Sequence, residues 1–351
     1  MQIDCTYKAF FEGGWDTGEV RTTICGAHKA VVVAHTNADG DAVGSLLGMC
    51  SLLRNAGVAE VTPMLPDGCP DDLIWLPHTD TILSGQSCHE ACCTAINRAD
   101  LVVGVDISGL ERTGCLADCL RSSKGARMLV DHHMCPHRDE FLLVVSEPEI
   151  SSACELVYWL MMSTFGSQIF DRDAATCLYT GLCTDTGNFS FSNNRQSLYL
   201  AAADLLTFGI DPMWINRSIK NVFTVPRLRF FGSAIAHRLT VYPQQQVALM
   251  VLTDKEMSEA GVVSHELTGL INEVMKLRDI DCGILIREES CSNGDFKTRL
   301  SLRSKEHYDV NLLAGELFGG GGHKRAAGAT STKSLEETVM IVKQKLHLED
   351  C

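Results

Sequence analysis

No apolar run in this chain of 351 residues approaches the ~18 to 20 consecutive residues needed to cross a bilayer, so no membrane-spanning helix is expected. The opening residues, Met1-Gln2-Ile3-Asp4-Cys5, contain no basic stretch leading into an apolar core. A secretory signal is therefore not expected, and the sequence reads as a soluble cytoplasmic protein without a membrane partner. Positive charge is scarce as well: 30 Lys and Arg stand against 44 Asp and Glu, a formal net charge of −14. A field of that sign repels polyanions, which excludes a broad basic track for long nucleic acid but not a small anion held by local cations or metals. The 16 cysteines, scattered from Cys5 to Cys351, include no C-x-x-C pair. Most are expected to be small buried thiols in a reducing compartment rather than disulfides or zinc ligands. Internal repeats are absent, and the sole low-complexity stretch is the four glycines at 319–322.

What is present is an ordinary globular composition, 45% hydrophobic and 21% charged, long enough for about two domains at ~150 residues each. Residues 30–34 (Ala-Val-Val-Val-Ala) are a β-branched run of the kind that forms a strand buried on both faces. A polar loop and an apolar, glycine-containing helical pattern at 42–53 follow. Further strands are predicted at 61–65, 101–105, 127–130 and 141–145, and helices at 153–165, 172–182 and 196–208. This alternation predicts an α/β domain at 1–215 with a mainly parallel sheet and helices on both faces. Residues 211–225 read as a connecting helix broken at or after Pro226, which places a linker at 216–230. Beyond it, a hairpin of strands 234–242 and 246–252, an amphipathic segment at 267–277, strands at 283–287 and 298–303, and helices at 310–318 and 335–346 predict a smaller α+β domain over 231–351.

In an open parallel sheet, ligands bind beyond the carboxyl ends of the strands. Three strands here run into potential metal ligands: the first into His35-Thr36-Asn37-Ala38-Asp39-Gly40-Asp41, the next into Asp106, and another into Asp131-His132-His133. A fourth group, Thr184-Asp185-Thr186-Gly187, follows a helix. Each alone also fits a turn or a helix cap. Together they offer carboxylates and imidazoles without a thiolate, a donor set for Mn²⁺, Mg²⁺, Fe²⁺, Co²⁺ or Zn²⁺. Two such ions sharing a carboxylate would lower the pKa of a bridging water and neutralise a leaving oxygen, which is the chemistry of phosphoester hydrolysis. In the second domain, Arg303-Ser304 ends a strand, and Gly319-Gly320-Gly321-Gly322-His323-Lys324-Arg325 offers flexible backbone amides beside cationic side chains, as in an anion-binding nest.

These ordered motifs resemble the DHH phosphoesterase superfamily, and the glycine-rich ending with Ala326-Ala327-Gly328 is similar to its DHHA1 associated domain. The size most resembles the stand-alone group of nanoRNases and 3′-phosphoadenosine 5′-phosphate (pAp) phosphatases. The resemblance implies that two divalent ions, Mn²⁺ first and Mg²⁺ or Co²⁺ as alternatives, are held by His35, Asp39, Asp41, Asp106, His132 and Asp185, with Asp106 bridging. It implies that His133 contacts the scissile phosphate or assists the leaving group. Arg303, Ser304, Gly320, Gly321, Gly322 and His323 would bind the substrate's phosphates. The implied activity is hydrolysis of very short oligoribonucleotides to nucleoside 5′-monophosphates, or of pAp to AMP. Cleavage of cyclic or linear dinucleotides (cyclic di-AMP or pApA) is the alternative, followed by a catalytically silent nucleotide-binding regulator; a homodimer is left open. Two departures, Ala38 where Pro is frequent and Cys135-Pro136 where an Asn-containing turn is common, bear on loop shape and substrate preference rather than on the ligands.

Overall fold

Alternate residues of the first strand feed two different interiors, and this fixes the layering of the amino-terminal unit. Ala30 and Val32 pack into one apolar cluster, whereas Val31 and Val33 pack into another on the opposite side. The computed structural model describes residues 14–190, 195–220, 223–267, 269–290 and 296–349. The chain divides into two compact units, Met1–Val222 and Phe223–Cys351. The first contains, in order, α1 (Thr17–Cys25), β1 (Lys29–Val33), α2 (Gly40–Asn55), β2 (Glu60–Leu65), β3 (Leu83–Ser84), α3 (His89–Arg98), β4 (Leu101–Val105), α4 (Ala117–Ser122), β5 (Ala126–Asp131), β6 (Leu143–Ser146), α5 (Ala153–Phe165), α6 (Arg172–Asp185), α7 (Gln196–Leu206) and α8 (Pro212–Lys220).

Its six strands run in the order β3-β2-β1-β4-β5-β6, with every pairing parallel. Helices α2, α5, α6 and α7 contribute to the cluster on one face, and α3 and α4 to that on the other. Strand order reverses between β1 and β4, so the loops after these strands diverge and leave a crevice at their carboxyl ends. Packing of α2 on α6 narrows the approach further. A Cβ at Gly40 would lie 2.4 Å from Thr184 Cγ2, and one at Gly44 would lie 2.6 Å from the Cys177 carbonyl oxygen, so the two axes can approach only because these positions lack side chains. That contact puts the first turn of α2 beside the last turn of α6.

The second unit contains α9 (Val225–Arg238), β7 (Leu239–Tyr242), β8 (Val247–Leu252), α10 (Asp254–Glu259), α11 (Leu270–Val274), β9 (Cys282–Ser290), β10 (Phe296–Ser304), α12 (Val310–Phe318), β11 (Gly321–His323), β12 (Ala326–Ser331) and α13 (Leu335–Lys345). Its mixed sheet has the order β11-β12-β10-β9-β8-β7, antiparallel except between β8 and β9. Helices α12 and α13 share an apolar cluster with one face, and α9, α10 and α11 share one with the other.

Three sequence expectations need correction. The connecting helix expected over 211–225 ends as α8 at Lys220, and Pro226 does not break a helix but sits in the first turn of α9, where its missing N–H costs nothing; the Thr224 side chain caps that turn. The expected strand 234–242 is helical to Arg238 because Phe230, Phe231 and Ala234 bury one helical face. Cys93 and Cys119 are disulfide-bonded, joining α3 to α4, an exception to the thiols expected of most cysteines. Cys50, Cys92, Cys154, Cys177, Cys183 and Cys282 are indeed free and buried. The sequence reading also missed α1, α3 and α4, short helices with much of their surface in solvent. No helix among the described residues is long and apolar enough to cross a membrane.

Asp281, buried just before β9, accepts hydrogen bonds from the backbone N–H groups of Glu306, His307 and Tyr308 at 2.6, 2.9 and 3.0 Å. Burial by itself would raise its pKa, but these donors and His307 outweigh burial and hold the carboxyl below its usual range. Because the folded value lies below the unfolded value of about 3.9, the contribution is complete above that pH and is lost as pH falls through the folded value. Asp281→Ala should cost about 3 kcal/mol in chemical denaturation at neutral pH. Asp281→Asn should flatten the fall in stability below about pH 4; an unaltered acid limb would refute the assignment.

Candidate metal centre

Each potential ligand is placed by the end of a regular element. Asp39 is the N-cap of α2, its Oδ1 accepting from the N–H groups of Asp41 and Ala42 at 3.0 and 3.1 Å. Asp41, in the first turn of α2, accepts from the N–H groups of Ala153 and Cys154 at 2.6 and 2.9 Å, so it caps α5 from another helix. Asp106 follows β4 in the left-handed region, φ 54°, a conformation that turns its carboxylate back toward the strand ends. A non-glycine residue held there costs about 1–3 kcal/mol, which the surrounding packing must offset. His132 and His133 follow β5, and Asp185 closes α6.

These side chains converge on Asp106. His35 Nε2 lies 3.3 Å from Asp106 Oδ2, and His132 Nε2 lies 3.5 Å from Oδ1. His132 Nε2 is also 3.8 Å from both Asp41 Oδ2 and Asp185 Oδ2. Ligand atoms of His35, Asp39 and Asp106 lie within 4.8 Å of one another, as do those of Asp41, Asp106 and His132. His35 Nδ1 is 2.7 Å from the Thr36 carbonyl oxygen, which can only accept, so the proton sits on Nδ1 and Nε2 faces the cluster. Asp131, given no role from sequence, is fully buried, and its Oδ1 accepts from His133 Nδ1 at 2.8 Å. This fixes the orientation of the ring. Its signal was present in the residue before the two histidines, but only the distance shows what it holds.

Electrostatically the site holds too many carboxylates for its protons. Burial pushes Asp41 up to about 7, with the Asp106 charge adding to it, and burial with the Asp41 charge also raises Asp185. Burial works against a charged His35, yet the hydrogen bond and charge of Asp106 carry it up to about 9; His132 is raised by the same partner. Burial would raise Asp106 too, but its two histidines hold it well below the carboxylate range. Asp106 Oδ1 is buried with no hydrogen-bond partner among the described residues. A buried carboxylate oxygen without a hydrogen bond, amid imidazole and carboxylate donors, fits divalent cations.

In the second unit, register brings Arg303 and His323 together. Arg303 pairs with Ala326, and Ala326 with His323, so the cation-bearing residues share one rung and one face of three adjacent strands. Arg303 Nη1 donates to the Leu302 carbonyl oxygen at 2.9 Å, and burial draws its pKa down. Ser304 Oγ donates to the Tyr308 carbonyl oxygen at 2.7 Å. The glycine run is not the flexible turn expected from sequence. Gly319 ends α12 at φ 63°, Gly321 and Gly322 enter the edge strand β11, and a Cβ at Gly320 would lie 2.2 Å from the Gly328 carbonyl oxygen. The glycines permit this close approach to β12. Of the basic residues near the junction, Arg227 is buried with its guanidinium 3.9 Å from the Phe223 ring centroid, a packed cation rather than part of a surface track.

A doubly wound parallel sheet with this histidine and aspartate cluster at its switch point defines a hydrolase of the phosphoesterase class. The chain belongs to the DHH family: the model of that family's N-terminal domain matches residues 29–182, and that of the DHHA1 domain matches residues 244–347. A bifunctional oligoribonuclease and PAP phosphatase NrnA from Thermus thermophilus is 28% identical over 85% of this chain and 83% of its own length. The cyclic-di-AMP phosphodiesterase PdeA of Listeria monocytogenes is 25% identical over 89% of this chain and 46% of that protein. The crystal structure of an exopolyphosphatase-related protein from Bacteroides fragilis superposes with a TM-score of 0.89 at 31% identity, covering 94% of this chain and 95% of that one.

Proposed function

We propose that this protein hydrolyses pAp and very short oligoribonucleotides, releasing nucleoside 5′-monophosphates, with catalysis assigned to residues 1–215 and substrate capture to 231–351. The observation that carries this reading is the convergence of His35, Asp39, Asp41, Asp106, His132 and Asp185 on the buried Asp106 carboxylate, whose Oδ1 makes no hydrogen bond among the described residues. His35 and Asp39 would hold one divalent ion, and Asp41, His132 and Asp185 another, with Asp106 common to both; hard oxygen and imidazole donors favour Mn²⁺, with Mg²⁺ or Co²⁺ as alternatives. When bound, such ions lower the pKa of water and neutralise phosphate charge. The chain's own groups do the rest. His133, held by Asp131 through Nδ1, presents Nε2 to donate a proton to the leaving oxygen. Arg303 and His323 orient the phosphates from one rung of the second sheet, with Ser304, Gly320, Gly321 and Gly322 shaping that end.

The names of the NrnA relatives support the choice of substrate, and the similarity to PdeA keeps cyclic di-AMP as the second reading. Purified protein with Mn²⁺ should be challenged in parallel with pAp, a 5′-labelled dinucleotide, an oligomer of about 24 nucleotides, cyclic di-AMP and pyrophosphate. A chain of charge −14 gains little from distant phosphates, so kcat/KM should be at least about tenfold lower on the long oligomer than on the dinucleotide. Equal or rising values with length would point to an exonuclease with an extended strand channel, and a clear preference for cyclic di-AMP would support the second reading.

A further inference from the structure

The face of the second sheet that α9, α10 and α11 cover at β8 and β9 carries two cationic rungs, of which the site described above uses only one. Along β10, Arg299, Ser301 and Arg303 point to the same face because strand residues alternate. Their partners complete three successive rungs on that face: Arg287, Arg299 and Thr330; then Leu285, Ser301, Gly328 and Gly321; then Gly283, Arg303, Ala326 and His323. The apolar cluster beneath α9, α10 and α11 takes Ala248, Met250 and Leu252 from β8 and Leu285 from β9, but no residue of β10, β11 or β12. On β10, β12 and β11 the middle rung is a serine and two glycines, so only small residues separate the cations there.

Arg287 is the unexplained member of this strip. It is half-buried, burial draws its guanidinium pKa down, and its Nε is buried with no hydrogen-bond partner among the described residues. A desolvated guanidinium without a bonded carboxylate is costly to keep unless an anion completes it. Its strand partner Arg299 is held in place by Glu289, to which Nε donates at 2.6 Å, and by Thr330 Oγ1, 3.3 Å from Nη1. Among the described residues, two guanidiniums therefore stand against one carboxylate on this face of these strands. Both arginines, with Ser301, Thr330 and the half-buried ring of Phe318, line a cavity of about 560 Å³. Guanidiniums match phosphate oxygens in geometry. The Arg299 and Arg303 rungs lie four residues apart, about 13 Å along the strand. That exceeds the reach of the two phosphates of a single nucleoside bisphosphate but not that of a short strand.

We propose that the Arg287–Arg299–Thr330 rung is a second phosphate subsite, holding a further internucleotide phosphate of an oligoribonucleotide whose nearer phosphate lies at Arg303 and His323. This rests on the reading of those two residues as the phosphate clamp. The subsite sets how many nucleotides contribute to binding: a trinucleotide reaches it, and pAp does not.

The test compares kcat/KM for a 5′-phosphorylated trinucleotide with that for pAp, in the full-length protein and in the variants Arg287→Met and Arg299→Gln. Arg299 lies largely at the surface, so its variant should fold even if the partly buried Arg287 does not tolerate change; thermal melting checks both. The trinucleotide to pAp ratio should fall at least about tenfold in each variant, and the log–log salt dependence of trinucleotide KM should lose about 0.7 per cation removed. An unchanged ratio in folded variants, or a wild type that cleaves pAp but not the trinucleotide, overturns the subsite alone. A wild type that cleaves neither overturns the proposed reaction, and the subsite with it.

Discussion

Asp106→Ala is expected to lower kcat by at least about 10³-fold, roughly 4 kcal/mol, because this one carboxylate is common to both halves of the cluster. His35 approaches its Oδ2 and His132 its Oδ1, so no neighbouring side chain can replace both contacts. Alanine is also poorly suited to φ 54°, which makes Asp106→Asn the better control: asparagine tolerates the left-handed region and keeps the shape, but lacks the charge. Both variants should lose activity, and metal content measured on the purified proteins should drop with it. Retention of more than about a hundredth of the wild-type kcat by either folded variant, with Mn²⁺ in excess, would exclude Asp106 as the shared ligand.

Arg303→Ala should do something different. Its guanidinium lies in the second sheet, on the rung of His323, whereas the six proposed ligand residues all belong to the first unit. Losing a charge-assisted contact to phosphate is expected to lower kcat/KM on pAp by about 10- to 100-fold, equivalent to about 1.4 to 2.7 kcal/mol. Metal content should stay at the wild-type level, and KM should carry most of the effect if the contact is made equally in the ground and transition states. His323→Ala should shift the same parameter by a smaller factor, because one ring nitrogen replaces a fork of donors. Loss of metal in either variant, or unaltered kinetics in both, would remove these residues from the phosphate clamp.

The parallel sheet and its ligand loops were legible because one rule governs both. A β-branched run that stops abruptly at polar residues marks a strand end, and strand ends at the switch point are where the chain exposes functional side chains. Residues 101–105 and 153–165 were read with the boundaries that β4 and α5 have in the structure, since an uninterrupted apolar pattern bounded by breakers leaves little choice. Where several patterns compete, local reading failed. Pro226 can end one helix or begin the next, and only the Thr224 cap and the burial of Phe230 and Phe231 select the second. Cys93 and Cys119 carry no mark that distinguishes them from the other cysteines; folding α3 against α4 brings their Cα atoms to 5.6 Å.

The sequence by itself determined the alternation of strands and helices, the kinds of donor at the strand ends and the acidic balance, because each of these depends on neighbours within a few residues. Tertiary structure alone decided that Asp106 lies between His35 and His132, that Asp131 holds His133 and that Asp41 caps α5. It also turned the glycine run into an edge strand and put Arg287 beside Arg299 on one rung. These relations join residues far apart along the chain, so they are set by strand register and helix packing. A one-residue slip in register would move Arg299 and Arg303 to the opposite face without changing a single letter of the sequence.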